Sequence, residues 1–149
     1  MNVKDFRKVI KANVVLMIEG KKYQIEELVK FRVDDGTYYF KCYLKNGYVF
    51  AEDSENNIYQ LLKHIKTSIS QPFPKKLRFQ NKDFTFLYDA NATAEEVSSE
   101  KHFGKKQSEH FWDYKDDEEN YLSLGINDWN GKRADCIGKI IKPEEVDLI

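Results

Sequence analysis

Residues 29–44, VKFRVDDGTYYFKCYL, have the pattern of two antiparallel strands joined by a tight turn. Asp35 and Gly36 favour a two-residue type I′ turn, because that turn needs backbone conformations that these residues tolerate. With this turn the apolar side chains of both strands fall on one face, in the pairs Val33 with Tyr38, Phe31 with Phe40, and Val29 with Cys42. The stretch therefore predicts a β-hairpin with one buried face.

Turn signals like this one recur along most of the chain, and polar and apolar side chains mostly alternate between them. Alternation with a period of two residues, interrupted by regular turns, is typical of an antiparallel meander. The first residues differ, because their apolar positions have helical spacing and predict a short amphipathic helix within residues 1–12. These positions are Val3, Phe6, Val9 and Ile10.

A second hairpin is predicted in the stretch NDWNGKRADCIG, residues 127–138. A three-residue loop of Trp129, Asn130 and Gly131, with the glycine in the left-handed position of a bulge, keeps the apolar faces together. The predicted pairs are Ile126 with Ala134, Leu124 with Cys136, and Leu122 with Gly138. Two interpretations of Trp129 stay open, an exposed anchor for a partner or a ring packed against the sheet.

The length of the chain fits one domain, residues 1–149. After the helix, residues 13–70 and 71–149 share a similar order of motifs, which suggests two similar β halves. We therefore expect a mainly β fold, all-β or β-rich α+β, built as an antiparallel meander with a short N-terminal helix. The pattern leaves open a two-sheet sandwich or a closed barrel, and helix or strand for residues 57–70 and 93–102.

The composition argues against several classes of protein. The 24 basic and 25 acidic side chains nearly cancel, so no net positive field attracts nucleic acid. The longest apolar run, residues 14–18, is too short to cross a bilayer, and the N-terminus lacks the pattern of a secretory signal. Cys42 and Cys136 are far apart and form no CxxC motif. We expect a cytoplasmic protein with free, buried thiols that neither inserts into membranes nor binds nucleic acid.

The second half of the chain also carries a family resemblance. Residues 110–149 read HFWDYKDDEENYLSLGINDWNGKRADCIGKIIKPEEVDLI, with an aromatic strand, an acidic gap, L-S-L, a tryptophan near a turn, and G-x-I-I-x-P. This order resembles the bacterial domain-of-unknown-function family numbered 4178, as do YYFKCYL and YVFAED in the first half. The resemblance implies a β-rich domain with no assigned activity and an accessory role near membrane-stress or polyamine enzymes. Gly125 stands where the resemblance leads us to expect a glutamate.

No pattern of a catalytic, metal or cofactor site stands out. GxSxG, GxGxxG and the phosphate-binding loop motif are all absent. His102 and His110 are expected on adjacent strands, where Glu100 or Glu109 could complete a metal site, but neither HxH nor HExxH spacing occurs. We therefore expect no enzymatic activity, no metal and no cofactor.

The sequence predicts a non-catalytic binding or adaptor module for an unidentified protein partner or small ligand. The candidate binding surface consists of exposed aromatic and acidic residues in the second half, namely Trp129, Trp112, Tyr114, Asp113, Asp116 and Asp117. One alternative is a ligand-binding barrel lined by Tyr38, Phe40, Phe84, Phe86 and Phe111. Another is an immunity-type inhibitor that caps a toxin with acidic loops. A cavity of several hundred cubic ångströms would favour the ligand-binding barrel.

Overall fold

The computed structural model describes residues 1–149. It contains one α-helix, a short 3₁₀ helix at Pro143–Glu145 and eleven strands, and no helix is both long and apolar enough to cross a lipid bilayer. In chain order the elements are α1 (Val3–Val9), β1 (Val15–Ile18), β2 (Lys21–Val33), β3 (Tyr38–Leu44), β4 (Tyr48–Asp53), β5 (Ile58–His64), β6 (Lys76–Phe79), β7 (Lys82–Val97), β8 (Ser108–Lys115), β9 (Asn120–Asn127), β10 (Cys136–Ile141) and β11 (Val146–Leu148).

Eight of the strands close into an antiparallel barrel. The order around the barrel is β2-β3-β4-β5-β10-β9-β8-β7, and β7 pairs again with β2 to complete the ring. The short strands lie outside it: β1 and β11 extend the sheet beside β2, and β6 extends it beside β7. The mainly β, antiparallel fold with one short N-terminal helix is confirmed, and the open choice between sandwich and barrel is decided in favour of the barrel.

Each half of the chain contributes one four-stranded meander, β2–β5 from the first half and β7–β10 from the second. The two meanders meet at the β5–β10 and β2–β7 pairs, and both pairs are antiparallel. The equivalent connections β2–β3 and β7–β8 therefore lie at opposite ends of the barrel. The first is a tight turn at residues 34–36, whereas the second is the long loop of residues 98–107. This difference in length makes the two ends of the barrel unequal.

Apolar side chains form three clusters, one inside the barrel and two on its outer surface. The interior cluster includes Val29, Phe31 and Leu62. One outer cluster lies beneath α1, β1 and β11, where Phe6 of the helix contacts the rings of Phe50 and Tyr59. The other lies beneath residues 65–79 and consists of Phe84, Tyr114, Leu122 and Leu124. Most barrel strands are therefore buried on both faces.

The predicted register of the β2–β3 hairpin is wrong by one residue. Phe31 pairs with Tyr39 and Val29 with Lys41. The turn has three residues, since the Val33 amide donates to the Thr37 carbonyl at 2.8 Å. The side chains of residues 39, 41 and 43 therefore point into the barrel, while those of residues 40 and 42 point outward. Apolar side chains could not reveal this register, because α1 covers the outward face and makes it as apolar as the inward one.

The predicted register of the β9–β10 hairpin is also wrong by one residue. Cys136 pairs with Ser123, and Ile137 pairs with Leu122. The loop has four residues, 128–131, flanked by a hydrogen bond from the Asn127 amide to the Lys132 carbonyl. Leu122 and Leu124 point outward into the cluster beneath residues 65–79. Here too, a second buried face concealed the true register.

The two segments with open assignments are strands followed by irregular chain. Residues 58–64 form β5, and β7 extends to Val97 before the long loop begins. The helical spacing in β5 arises because both of its faces are buried, with Tyr59 and Leu61 in the outer cluster and Leu62 inside. Consecutive apolar residues in such a strand imitate the spacing of a helix.

The reactivity of the two cysteine thiols tests the packing of two clusters, because Cys42 lies in the outer cluster beneath α1 and Cys136 lies in the interior cluster. Cys42 is 0% and Cys136 3% exposed, both are free, and burial raises the pKa of each thiol. Because the thiolate is the reactive form, we expect both groups to react slowly with a thiol reagent in the folded protein and quickly in denaturant. The check is a titration of the purified protein in buffer and in urea. Rapid labelling of either thiol in buffer would contradict this packing.

Candidate functional site

The barrel contains a cavity of about 600 Å³ that opens at one end. The tight β2–β3 turn and the β4–β5 turn, residues 54–57, lie at this end and contribute rim residues. Deeper in the cavity lie side chains from the inward faces of β3, β5, β8 and β9. Because the β2–β3 turn is short, no chain covers the opening.

The opposite end is closed by the loop of residues 98–107. Phe103 of this loop is 4% exposed and inserts among aromatic rings of the barrel. Its ring centroid lies 5.0 Å from that of Phe31, 6.1 Å from that of Tyr43 and 4.8 Å from that of Trp129. Perpendicular and tilted rings at these distances are favourable contacts. The cavity therefore has one entrance.

A fully buried carboxylate holds the closing loop in place. Glu27 of β2 is 0% exposed and accepts hydrogen bonds from three successive backbone amides of the loop. The amides are those of Lys101 at 2.7 Å, His102 at 2.9 Å and Phe103 at 3.1 Å. The hydroxyl of Ser99 donates to the same carboxylate at 3.2 Å. Hydrogen bonds of this kind to a charged acceptor are stronger than neutral ones.

An ion pair lies deep in the cavity. Lys41 of β3 points inward, and its Nζ lies 3.3 Å from Oε1 of Glu109 on β8. Burial lowers the pKa of Lys41, but the carboxylate of Glu109, together with smaller effects of Tyr43, Tyr39 and Cys136, outweighs burial, and the pKa lies well above its ordinary value. Lys41 is therefore charged, and its charge is matched by that of Glu109.

Asp113 is a second buried carboxylate in the cavity, and its partners are neutral. It is 7% exposed, and its two oxygens accept hydrogen bonds from the hydroxyls of Tyr121 and Ser123, the latter at 2.6 Å. Burial raises the pKa of Asp113 to about 6, although both hydroxyls act in the opposite direction. At neutral pH Asp113 is mostly ionised, and no side-chain cation is paired with it.

Gln60 also faces the cavity with its hydrogen-bonding capacity unused. It lies on the inward face of β5, is 6% exposed and lines the cavity. No hydrogen bond joins its carboxamide to another group of the protein. The carboxamide atoms are accessible from the cavity and not sealed in the protein interior, so this side chain can bind a polar group there.

The lining is rich in aromatic rings and in carboxylates. The ring of Phe111 meets those of Tyr39 at 6.2 Å and Tyr88 at 5.9 Å, in both cases edge to face. Eight lining side chains are carboxylates and two, Arg7 and Lys41, are cations. The whole chain has a formal net charge of −1, so negative charge is concentrated at this cavity.

The residues of the predicted binding surface do not all lie on one surface of the protein. Asp113 lies in the cavity, whereas Trp112 beside it points outward and packs against Phe73, with ring centroids 4.8 Å apart. Tyr114 is fully buried in an outer cluster and donates to the carbonyl of Pro74 at 2.7 Å. Alternation along β8 sends adjacent side chains to opposite faces of the barrel wall, so these three residues do not share a surface.

The other three predicted residues lie in two loops. Trp129 is 38% exposed at the closed end, where its ring packs against Phe103. Asp116 organises the β8–β9 turn by accepting hydrogen bonds from the amides of Glu118 at 2.9 Å and Asn120 at 2.8 Å. Asp117 of the same turn is exposed. The ring of Trp129 is therefore packed on one side and exposed on the other, so it has features of both interpretations, the packed ring and the exposed one.

Two of the five aromatic residues predicted to line a barrel do line the cavity, Tyr38 at the rim and Phe111 inside. The prediction was wrong for Phe40, Phe84 and Phe86, which point outward into the two outer clusters. The error at Phe40 follows directly from the one-residue register shift of its hairpin.

The two histidines considered for a metal site contact different acidic residues on different elements. His102 lies in the closing loop with its Nε2 2.8 Å from Oε1 of Glu26. His110 points outward from β8, with its Nε2 2.7 Å from Oδ2 of Asp89. No group of three or more His, Cys, Asp or Glu side chains is arranged to hold a metal ion.

The sequence-based reasoning missed most of the residues deep in the cavity. Polar or tyrosine residues two or four positions apart in a strand are a signal that could have found them, because they share one strand face. The pattern occurs in three strands, as Tyr39, Lys41 and Tyr43, as Glu109, Phe111 and Asp113, and as Tyr121 and Ser123. Gln60 carries no such signal.

Gly125 has no space for the glutamate that the family resemblance led us to expect. A Cβ atom at this position would lie 2.8 Å from the carbonyl oxygen of Ala134. The local path of the β9–β10 hairpin therefore requires glycine here.

Comparison with known proteins gives one match. A family model described as "Domain of unknown function (DUF4178)" matches residues 11–143. No curated protein matches the chain significantly. No solved structure matches it either.

Proposed function

The chain belongs to the DUF4178 family of domains of unknown function, and from this premise and the form of the barrel we propose that it binds a small molecule in its interior without transforming it. The single observation that carries the proposal is the cavity of about 600 Å³, entered from one end and closed at the other. Cavities of this size with a few converging polar groups are the usual form of small-molecule sites.

The distribution of apolar surface supports an interior site over a flat docking surface. Five large apolar side chains are exposed, and only Leu87 and Tyr88 of β7 are neighbours, whereas Val9, Trp129 and Ile149 lie on separate parts of the chain. A docking surface for a protein would instead show a contiguous apolar patch. The polar groups with unused capacity, Asp113 and Gln60, face the cavity.

The arrangement of these groups supports recognition of a ligand over chemical attack on it. Tyr121 and Ser123 both donate to Asp113, so their hydroxyl protons are directed at the carboxylate. This orients the carboxylate as a fixed acceptor for a further donor. We therefore propose a binding module with no catalytic activity.

A substitution that fills the cavity tests the proposal. Ala51 lies on the inward face of β4 and lines the cavity, so Ala51→Trp places an indole in the space a ligand would use. We would titrate three benzyl compounds of similar size and different charge, benzylamine, benzyl alcohol and benzoate, at millimolar concentration. In amide NMR spectra of the unmodified protein, at least one is expected to shift signals of lining residues such as Gln60 and Ser123.

Ala12→Trp is the matched control, because the same change is made at an exposed position outside the cavity. The shifts are expected to persist in this variant and to disappear in Ala51→Trp. The proposal fails if none of the three compounds shifts lining residues, or if the shifts survive in Ala51→Trp.

A further inference from the structure

We propose that the ligand of the cavity is an organic cation, a primary or methylated amine whose ammonium group lies against Asp113. This inference rests on the proposed ligand-binding function and adds the chemical class of the ligand. It follows from the charges in the cavity, from an unpartnered amide and from the aromatic lining.

Asp113 is the deep carboxylate that lacks a cation. Glu52 at the rim is paired with the guanidinium of Arg7, and Glu109 is paired with Lys41. Asp113 has hydroxyl partners alone, although it too is buried. An ionised carboxylate in such a site is costly unless a cation reaches it, and a ligand ammonium group would supply that cation.

Lys41 does not oppose this assignment. Its Nζ lies 3.3 Å from Glu109 and it forms no ion pair with Asp113; the charge of Lys41 lowers the pKa of Asp113, and that of Glu109 acts in the opposite direction. The remaining charged residues of the rim are acidic, and they include Asp34, Asp53 and Glu55. A concave site with an excess of one sign of charge attracts ligands of the opposite sign.

Gln60 provides the second, independent observation. The residue is only 6% exposed, its side chain borders the cavity, and no hydrogen bond joins its carboxamide to the protein. The amide oxygen is an acceptor for an N–H group of the ligand. A protonated amine, which carries donors and no acceptor, can donate to both the amide oxygen of Gln60 and the carboxylate of Asp113.

The aromatic lining suits a cation as well. Phe111, Tyr39 and Tyr88 stand edge to face around part of the cavity wall. Rings in this arrangement present faces whose negative potential attracts ammonium groups, and methylated ammonium groups gain most because water solvates them weakly.

The three benzyl compounds test the inference on the unmodified protein, because they share the ring and differ in charge. Benzylamine is expected to bind at least about tenfold more tightly than benzyl alcohol, and benzoate more weakly than both. If none of the three binds in the cavity, the proposed function itself fails. If benzyl alcohol or benzoate binds there as tightly as benzylamine, the proposed function stands and the cation inference is overturned.

Asp113→Asn tests the assigned partner of the ammonium group. The amide keeps the shape of the carboxylate, so we expect this variant to fold, and benzylamine is expected to bind about tenfold more weakly. Benzyl alcohol should bind within about twofold of its original affinity, since it carries no charge. Asp83→Asn is the control, because it removes the same charge from a side chain that is 80% exposed and outside the cavity.

Two results would overturn the assignment to Asp113. One is an Asp113→Asn protein that is folded and binds benzylamine as tightly as before. The other is an equal loss of benzylamine affinity in Asp83→Asn, which would show a general effect of charge. If Asp113→Asn does not fold, two other measurements test the site: the affinities of the three benzyl compounds for the unmodified protein, and the affinity of benzylamine for Gln60→Leu. An unchanged benzylamine affinity in Gln60→Leu would then contradict the proposed site.

Discussion

Replacing Gly138 with alanine is expected to destabilise the protein by about 3 kcal/mol or more, because a side chain at this position collides with the neighbouring strand. Gly138 lies in β10 and pairs with Leu62 of β5. A Cβ atom at this position would overlap the carbonyl oxygen of Leu61 and lie 2.8 Å from the Cα of Leu62. These are backbone atoms, so the strands themselves would have to separate.

The β5–β10 pair is one of the two junctions that close the barrel, so the effect extends beyond one contact. Urea unfolding of the variant and the unmodified protein measures the difference in free energy of unfolding. Gly104→Ala is the control, because its nearest neighbours are side-chain atoms of Gln107 at 3.2 Å and beyond, which can move. A Gly138→Ala protein as stable as Gly104→Ala would contradict closure at this junction.

Replacing Glu27 with glutamine is expected to lower the free energy of unfolding by on the order of 3 kcal/mol. The buried carboxylate accepts several hydrogen bonds, and in the glutamine carboxamide one of the two acceptor oxygens is replaced by an NH₂ donor. Three loop amides and the Ser99 hydroxyl donate to the carboxylate. The NH₂ group of a glutamine would replace one of the carboxylate oxygens and could not accept the hydrogen bonds that this oxygen accepts. The closing loop would loosen first. Hydrogen exchange at residues 101–103 should therefore rise more than exchange in the barrel strands.

Glu26→Gln provides the comparison for this prediction. Glu26 is the adjacent residue of β2, and its side chain is 29% exposed and contacts His102 of the same loop. Removing such a solvent-screened contact is expected to lower the free energy of unfolding much less than the Glu27 substitution does. Equal stabilities for the two variants would show that Glu27 does not anchor the loop.

The alternation of side chains was sufficient to predict strands, turns and a mainly β fold. It was not sufficient to predict register, because a one-residue shift is visible only when one face of a strand is polar. In β3, Phe40 and Cys42 pack outward beneath α1, while Tyr39 and Tyr43 pack inward. Both registers therefore bury apolar side chains, and the local pattern selected the wrong one.

Closure of the barrel had no local signal at all. It depends on the pairing of β2 with β7 and of β5 with β10, which are far apart in the chain. A sandwich of the same two meanders has the same turns and the same alternation. Only the pairing of strands from different halves distinguishes the two architectures.

The candidate site was difficult to predict for a related reason. Asp113 was identified as an acidic residue near aromatic ones, but Trp112 and Tyr114, which flank it, point to the opposite side of the wall. Its true neighbours, Tyr121 and Ser123, come from β9, and Gln60 comes from the other half of the chain. Cavity residues are assembled by strand pairing, so an incorrect register prevents their identification.

Contacts between bound benzylamine and the interior of the barrel test the central claim most directly. The claim is that a closed barrel with one open end holds an organic cation against Asp113. The account predicts nuclear Overhauser effects from the benzylamine methylene protons to the Cβ protons of Ser123 and to the rings of Tyr121 and Phe111, all of which line the cavity. Effects confined to outward-facing side chains such as Trp112, or no effects from a bound ligand to any lining residue, would contradict it.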